Sequence, residues 1–323
     1  MTQRIIIVYN PRSSKHGRIR EEVIEPVQKL KGYVIGKYEI KAAPVDENVA
    51  ALAKILKDED FLIVAGGDGT ATVGVNAAMR SKADVTLGVL GYGNFNDFSR
   101  IAKLKNIEQM IEKFESGSMQ KLYPLEAIVD GKIWRYAACY FTMGMFAEST
   151  EIFDAPATRK SLRSGKKSLC YSIFQLAKWY FANNQKEFLA SDIRMNDVVM
   201  NRVKISRSGK AKKQKKKHVS DVMFVNGKTV AKVMKGGDYW RDAKKFFVSF
   251  GRLKTLNKLC AFMVKSMVGK MPGHVTEKQV KISFENETEF EIQAEGEYTK
   301  IKAKELIVQK SSHGVKVVVS SMI

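Results

Sequence analysis

Cysteine and histidine are scarce in this sequence. Three cysteines (Cys139, Cys170, Cys260) lie far apart, and no pair has metal-ligand spacing. A disulfide framework is thereby excluded, and reduced thiols in a cytoplasmic protein are expected. The four histidines (His16, His218, His274, His313) are scattered, which argues against a zinc or histidine-based catalytic centre. No apolar run approaches the length of a membrane span. The N-terminus passes from Met1-Thr2-Gln3-Arg4 into a short apolar segment and then Asn10-Pro11, which reads as a strand and a loop rather than a cleavable signal. No internal repeat is visible. Acidic residues are also in short supply, 34 against 55 Lys and Arg, a formal charge of +21. Such an excess calls for an anionic partner: a nucleic acid, an acidic lipid surface or a phosphorylated substrate. Six of the lysines fall in Lys210–Lys217 (KAKKQKKK), which reads as an exposed hairpin loop.

What remains is ordinary globular material. Apolar residues make up 45% and charged residues 28% of 323, enough for two domains with their own cores. The first third alternates strand and helix. Strands are expected at 5–9, 33–40, 61–65 and 86–90, and helices at 19–30, 45–56, 71–79, 98–102 and 107–114. That alternation predicts a doubly wound parallel sheet with helices on both faces, and ligands beyond the carboxyl ends of its strands. After about residue 120 the pattern changes. Segments 125–129 and 133–141 flank Asp130-Gly131, a hairpin turn, and strands follow at 198–205, 219–225, 246–250, 280–284, 289–294 and 315–320. Helices are expected at 168–183 and 255–268, with apolar stripes that suit a core better than a membrane. The prediction is an α/β domain over 1–122 and a mainly antiparallel β-sandwich domain over 123–305. Residues 306–323 are expected to pack back on the first domain, and 207–218 to form the lysine-rich loop.

The most informative segment is Gly66-Gly67-Asp68-Gly69-Thr70, between the apolar strand 61–65 and the helix after it. Glycines at a strand-to-helix turn let backbone approach a ligand and expose its N–H groups. Asp68 in the same turn could hold a cation or a polarised hydroxyl. The chemistry suits a nucleotide phosphate, yet no Gly-Lys-Ser/Thr follows, so this is not a Walker A loop. Asp68 also suits a helix N-cap, although capping alone does not require three glycines. Two more loops, 10–17 and 91–98, fall at the same sheet edge.

Together these segments resemble the diacylglycerol kinase catalytic family, which includes bacterial lipid kinases and the sphingosine and ceramide kinases. Asn10-Pro11 with Ser13, Ser14 and Gly17 is similar to its Asn-Pro-x-Ser-Gly loop. Gly66–Thr70 matches letter for letter. Leu87-Gly88-Val89-Leu90, then Gly93 and Asn96-Asp97-Phe98-Ser99-Arg100, looks like its Gly-Thr-x-Asn-Asp-Phe block. Glu295-Gly296-Glu297 resembles its Asp-Gly-Glu, and Asn226-Gly227 and Gly236-Gly237 are weaker echoes. The sequence departs from the pattern at Gly91 (usually proline), at Asn94 (threonine), at Lys41-Ala42 (a threonine nearby) and at Glu295 (aspartate). No aspartate stands near Pro124–Glu126, where relatives carry one.

The resemblance implies an ATP- and Mg2+-dependent kinase that transfers the γ-phosphate to a hydroxyl of a diacylglycerol- or sphingosine-like lipid. It implies nucleotide binding by Asn10, Pro11, Ser13, Ser14, Gly66, Gly67, Gly69, Thr70, Gly93, Asn96 and Glu297. Metal would be held near Asp68 and Asp97, and Glu295 would act as general base with Asp68 as the second catalytic carboxylate. Asp97 suits equally a capping and loop-bracing role, and Glu295 a plain turn. The positive charge suits peripheral attachment at the inner membrane face. The alternatives are an NAD-kinase-like phosphotransferase, a catalytically degenerate nucleotide binder and a basic nucleic-acid-binding protein. Against the last, no reader module or interleaved aromatics surround the lysine run.

Overall fold

The computed structural model describes residues 3–93, 95–154, 178, 181, 192–195, 198–199, 221–251, 253, 255–277 and 279–321. The lysine run, most of the helix expected at 168–183, residues 200–205, Cys170 and Asn94 lie outside the described residues.

The first sheet begins with strands β1 (Gln3–Tyr9), β2 (Tyr33–Glu39), β3 (Phe61–Gly66) and β4 (Thr86–Gly91), all parallel. Their side chains alternate between two apolar layers. Ile5, Ile7, Phe61 and Ile63 face one, while Ile6, Val8, Leu62 and Val64 face the other. Burial on both faces is why these strands read as continuous apolar runs. The first layer is covered by short helices α1 (His16–Ile19) and α2 (Glu25–Gln28), which flank a π-helical segment, Arg20–Ile24, and by later helices. Pro26 sits just past the π-helical turn and cannot donate a helical hydrogen bond. Helices α3 (Val45–Ile55) and α4 (Asp68–Ser81) cover the second layer. Beyond β4 come α5 (Asp97–Ala102), α6 (Ile107–Glu115) and β5 (Met119–Leu122).

The remaining strands form one ten-stranded sheet and a two-stranded ribbon. The large sheet contains β6 (Leu125–Val129), β7 (Lys132–Ala137), β8 (Tyr140–Gly144), β9 (Asp192–Met195), β10 (Val198–Val199) and β11 (Asp221–Val225). Helix α7 (Met145–Asp154) follows β8. The ribbon is β12 (Thr229–Val230) with β13 (Met234–Lys235). Next come β14 (Phe246–Gly251), α8 (Leu256–Met267) and β15 (His274–Thr276), an edge strand. The two strands expected at 280–284 and 289–294 are one strand, β16 (Val280–Ala294), with an irregularity between Ser283 and Thr288. Its partner β17 (Glu297–Lys310) had no sequence expectation of its own. Strand β18 (Val315–Val318) then lies in the first sheet between β4 and β5, parallel to β4 and antiparallel to β5.

The two sheets share a core. The apolar layer over α3 and α4 continues through Tyr136, Tyr140 and Val225 to Leu259 and Phe262 of α8. Polar bonds lock the crossing points. Lys310 Nζ donates to the carbonyls of Tyr123 (2.7 Å) and Tyr239 (3.0 Å) and to Asn226 Oδ1 (2.5 Å). Asn226 Nδ2 donates to Tyr123 O and Ala138 O.

Candidate active site

Loops 10–17, 66–70 and 91–97 leave the carboxyl ends of β1, β3 and β4, three neighbouring strands. The first is a tight turn. Asn10 Oδ1 accepts from Arg12 N (3.0 Å), Asn10 O from Ser13 N (3.0 Å), and Ser13 O from His16 N (3.0 Å). Ser13 Oγ accepts from Lys15 N, while Ser14 is exposed. Pro11 opens the turn, and Arg12 reaches across to Lys41 O (2.8 Å).

The second and third loops interlock. Tyr92 N donates to Gly66 O (2.7 Å). Gly67 and Gly93 meet backbone to backbone, so a Cβ on Gly93 would fall 2.6 Å from Gly67 Cα. Asn96, at φ 56°, holds Gly93 through both ends of its amide group, accepting from Gly93 N (2.7 Å) and donating to Gly93 O (2.9 Å). Thr70 is buried and packs down on Gly66, where any Cβ would collide with it.

Asp68 explains why these two motifs occur together. Its carboxylate does not cap its own helix. It crosses to the other loop, accepting Asn96 N at Oδ2 (3.0 Å) and Asp97 N at Oδ1 (2.9 Å). The helix it caps is α5, which corrects the reading of Asp68 as the N-cap of α4. Burial raises its pKa, and those two amides pull it back.

Asp97 is buried and points the other way. Oδ1 accepts from Thr229 Oγ1 (2.6 Å) and Lys232 N (3.0 Å), both on the β12–β13 ribbon. It therefore ties the ribbon to the first sheet instead of capping at Phe98. Burial lifts its pKa to about 6, the Thr229 bond opposes this, and Asp68 adds to it. Arg100 donates to Phe95 O (3.2 Å) at the back of the same loop.

Glu295 enters from the second sheet. It occupies the tight β16–β17 turn with Gly296, both at positive φ (50° and 94°). This backbone suits the Glu-Gly pair poorly in its first residue, so the turn is held elsewhere. Oε1 accepts from Cys139 N (2.5 Å), and Oε2 lies 3.4 Å from Thr72 Oγ1 on α4. Burial first, then the neighbouring Asp68 and Asp97, push the carboxyl up to about 8. Asp68 and Asp97 thus act on Glu295 across the joint between the sheets. Glu297, two residues on, lies against Gly69, where a Cβ would meet its Oε1.

Sequence reasoning missed the groups that hold these carboxylates: Thr72, Cys139, Thr229 and Lys232. It also missed Arg135, buried beneath Trp134 (4.7 Å to the ring) and 3.3 Å from Asp46, and sensitive to the charge of Glu297. One signal was available. Asp68, Thr72, Asn76 and Arg80 recur every four residues along α4, a polar stripe on a helix otherwise buried. Asn76 exchanges hydrogen bonds with the Tyr136 backbone (2.8 Å each way), and Arg80 donates to Trp134 O. Among the described residues, no three His, Cys, Asp or Glu side chains form a ready-made metal cluster. No described helix is long and apolar enough to cross a membrane.

Residues 4–126 match the family model described as diacylglycerol kinase catalytic domain. A diacylglycerol kinase of Staphylococcus carnosus (strain TM300) is 31% identical over 144 residues, covering 41% of this chain and 46% of the relative. One from Staphylococcus aureus (strain bovine RF122 / ET3-1) is 30% identical over 144 residues, 41% of this chain and 45% of its own length. The chain thus spans less than half the length of these curated relatives. Among solved structures, a diacylglycerol kinase from Bacillus anthracis str. Sterne superimposes with a TM-score of 0.66 at 15% identity, over 98% of this chain and 97% of that one. The resemblance read from the motifs holds: residues 4–126 match the diacylglycerol kinase catalytic domain, and the chain has, end to end, the fold of a bacterial protein of that description.

Proposed function

We propose that this protein is a lipid kinase that moves the γ-phosphoryl group of ATP to a lipid hydroxyl. The carrying observation is the convergence of Asp68, Asp97 and Glu295 where two interlocked glycine loops meet the second sheet. Residues 1–122 with β18 would hold the nucleotide, and 123–305 the acceptor. The loops 10–17, 66–70 and 91–97 would cradle the phosphates with backbone amides, including those of Gly67 and Gly69, while Gly66 and Gly93 would permit the close approach. Asn10 and Asn96 would shape the cradle, and Ser13, Ser14, Thr70 and Glu297 would border it.

Asp68 and Asp97 already accept backbone or hydroxyl donors, so they do not offer an all-protein cage. They do fit a hydrated Mg2+ reached through water, because Asp68 raises the pKa of Asp97, both raise that of Glu295, and a cation would relieve this crowding of negative charge. When bound, it would offset charge on the transferring phosphoryl group. Glu295 would take the acceptor's proton as the new O–P bond forms and the bond to the departing ADP oxygen breaks. Its carboxyl must first lose its own proton. With its pKa at about 8, kcat/KM should rise with pH up to that value. The positive charge and the lipid acceptor together fit a cytoplasmic protein working at the inner membrane face.

The test is incubation with γ-labelled ATP, Mg2+ and a total lipid extract. Label should enter the organic phase with wild type and not with Asp68→Asn. Label in NADP instead, when NAD is offered, would support the NAD-kinase-like alternative, and no transfer would reduce the protein to a nucleotide binder.

A further inference from the structure

Helix α8 packs with one face only. Leu259, Phe262 and Ser266 are buried against the core, where Phe262 meets Phe146. A second apolar face is bare. Leu256 is 42% exposed, Val264 60%, Met267 50% and Val268 61%, with Cys260 exposed among them. Helical spacing puts 256, 260, 264 and 267 along one line. Such a stripe on a surface helix costs solubility unless something covers it.

The patch extends beyond the helix. β13 packs against α8, with Met234 in the same core as Leu259 and Phe262, and leaves the adjoining turn residue Val233 exposed. Val275, exposed on edge strand β15, sits opposite Phe247 in the ladder. It therefore shares the sheet face on which Phe247 joins the α8 core.

Charge identifies the occupant. Residues 251–276 contain Arg252, Lys254, Lys258, Lys265 and Lys270 and no aspartate or glutamate. Lys232 and Lys235 on the ribbon are exposed as well. A bare apolar stripe with a strongly basic border, whose nearest acid, Glu277 just past β15, is paired with Lys245, matches a surface whose outside is anionic and whose inside is hydrocarbon. A folded protein partner would be expected to meet an acidic rim, and Glu277, already paired with Lys245, is the single acid beside this segment. The patch also adjoins the site, because the turn that carries Val233 carries Lys232, whose amide holds Asp97 (3.0 Å).

We propose that the outer face of α8, with the tip of the β12–β13 ribbon and β15, lies in the surface of an anionic lipid bilayer. Leu256, Val264, Met267 and Val268 enter the headgroup boundary, and Lys258, Lys265 and Lys270 contact lipid phosphates. The purpose of this docking rests on the lipid-kinase reading, since it brings a membrane-borne hydroxyl to the edge of the cleft. The docking itself does not depend on that reading.

The experiment is sedimentation of the full chain with vesicles of phosphatidylcholine alone or with one third phosphatidylglycerol. Wild type should bind the anionic vesicles at low salt. The exposed-face variant Val264→Asp/Met267→Asp should lose tenfold or more of that binding while its melting temperature is unchanged. A fluorophore on Cys260 should shift to the blue on binding. Wild-type binding by the double variant would overturn the proposal, as would loss of binding only when residues 209–217 are deleted. A dimer that the double variant dissociates would assign the face to a second copy and overturn it too. Vesicle binding without any phosphoryl transfer would leave the docking standing and remove the kinase reading.

Discussion

At the residue scale, Asp68 and Glu295 carry opposite kinds of constraint. Both oxygens of Asp68 accept backbone amides that nothing else satisfies. In Asp68→Asn one of those amides must face an NH2 group, at a cost of roughly 1–3 kcal/mol. The variant should therefore lose transfer and also melt lower, by an amount readable in a denaturant titration. The sequence alone predicts an intact fold for this change, because it cannot reveal that the side chain spans two loops. Glu295 is desolvated by its surroundings, and the Cys139 amide offsets that only in part. Its folded pKa of about 8 exceeds its unfolded value, so the folded state holds a proton that the unfolded chain releases. Its stabilising contribution is complete below about pH 4.5 and is lost as pH climbs through 8. Glu295→Gln should flatten the fall in stability between pH 5 and 8, by on the order of 4 kcal/mol. It should lower the transfer rate with nucleotide affinity unchanged. An unaltered pH slope in the variant would mean that Glu295 is already ionised in the fold.

At the scale of elements, the decisive contact is between two turns. Gly93→Ala would drive a Cβ into Gly67 backbone, which has no rotamer with which to move aside. Loss of nucleotide binding and a clear drop in melting temperature are expected. Gly36→Ala on β2 is the control, since a Cβ there makes only ordinary contacts, 3.7 Å from Ile6 and 3.8 Å from Ile5 O, and it should behave as wild type in both assays. Gly69→Ala falls between, for its Cβ meets only the end of the Glu297 side chain; the protein should fold while Glu297 is displaced. Much of this region was legible in the sequence. The strand-to-helix turns, the parallel order and the loops 10–17, 66–70 and 91–98 all follow from apolar runs punctuated by glycine. What was not legible were β17, inside the second sheet, and the separate β12–β13 ribbon. β17 reads as charged sequence because Lys and Glu are interspersed with apolar positions such as the half-buried Ile301 and the fully buried Ala303 and Leu306. β12 and β13 are two residues long and carry no periodic signal at all. The partners of Asp97 sit on that ribbon, and those of Glu295 on α4 and the β7–β8 turn, all more than 100 residues away in sequence.

For the whole molecule, the chain's last strand completes its first sheet. Among the described residues β5 pairs only with β18, and β18 also extends β4. Expressed alone, residues 1–122 should lack a stable β5 and leave the β4 edge open to aggregation. Adding a peptide of residues 312–321 should restore protection of the β4 and β5 amides in hydrogen exchange, and no change in protection would mean that the first unit closes without it. The shared core from α4 to α8 and the Lys310 lock make the two sheets a continuous structure. Glu295 can therefore stand opposite Asp68 without waiting for closure.

Calorimetric titration of ATP with Mg2+ into the wild-type protein and into Gly93→Ala tests this account most directly. Saturable binding of one nucleotide by wild type, abolished in the variant, is the predicted result. Absence of heat with wild type, or equal binding by both proteins, would contradict a phosphate cradle built from the interlocked loops.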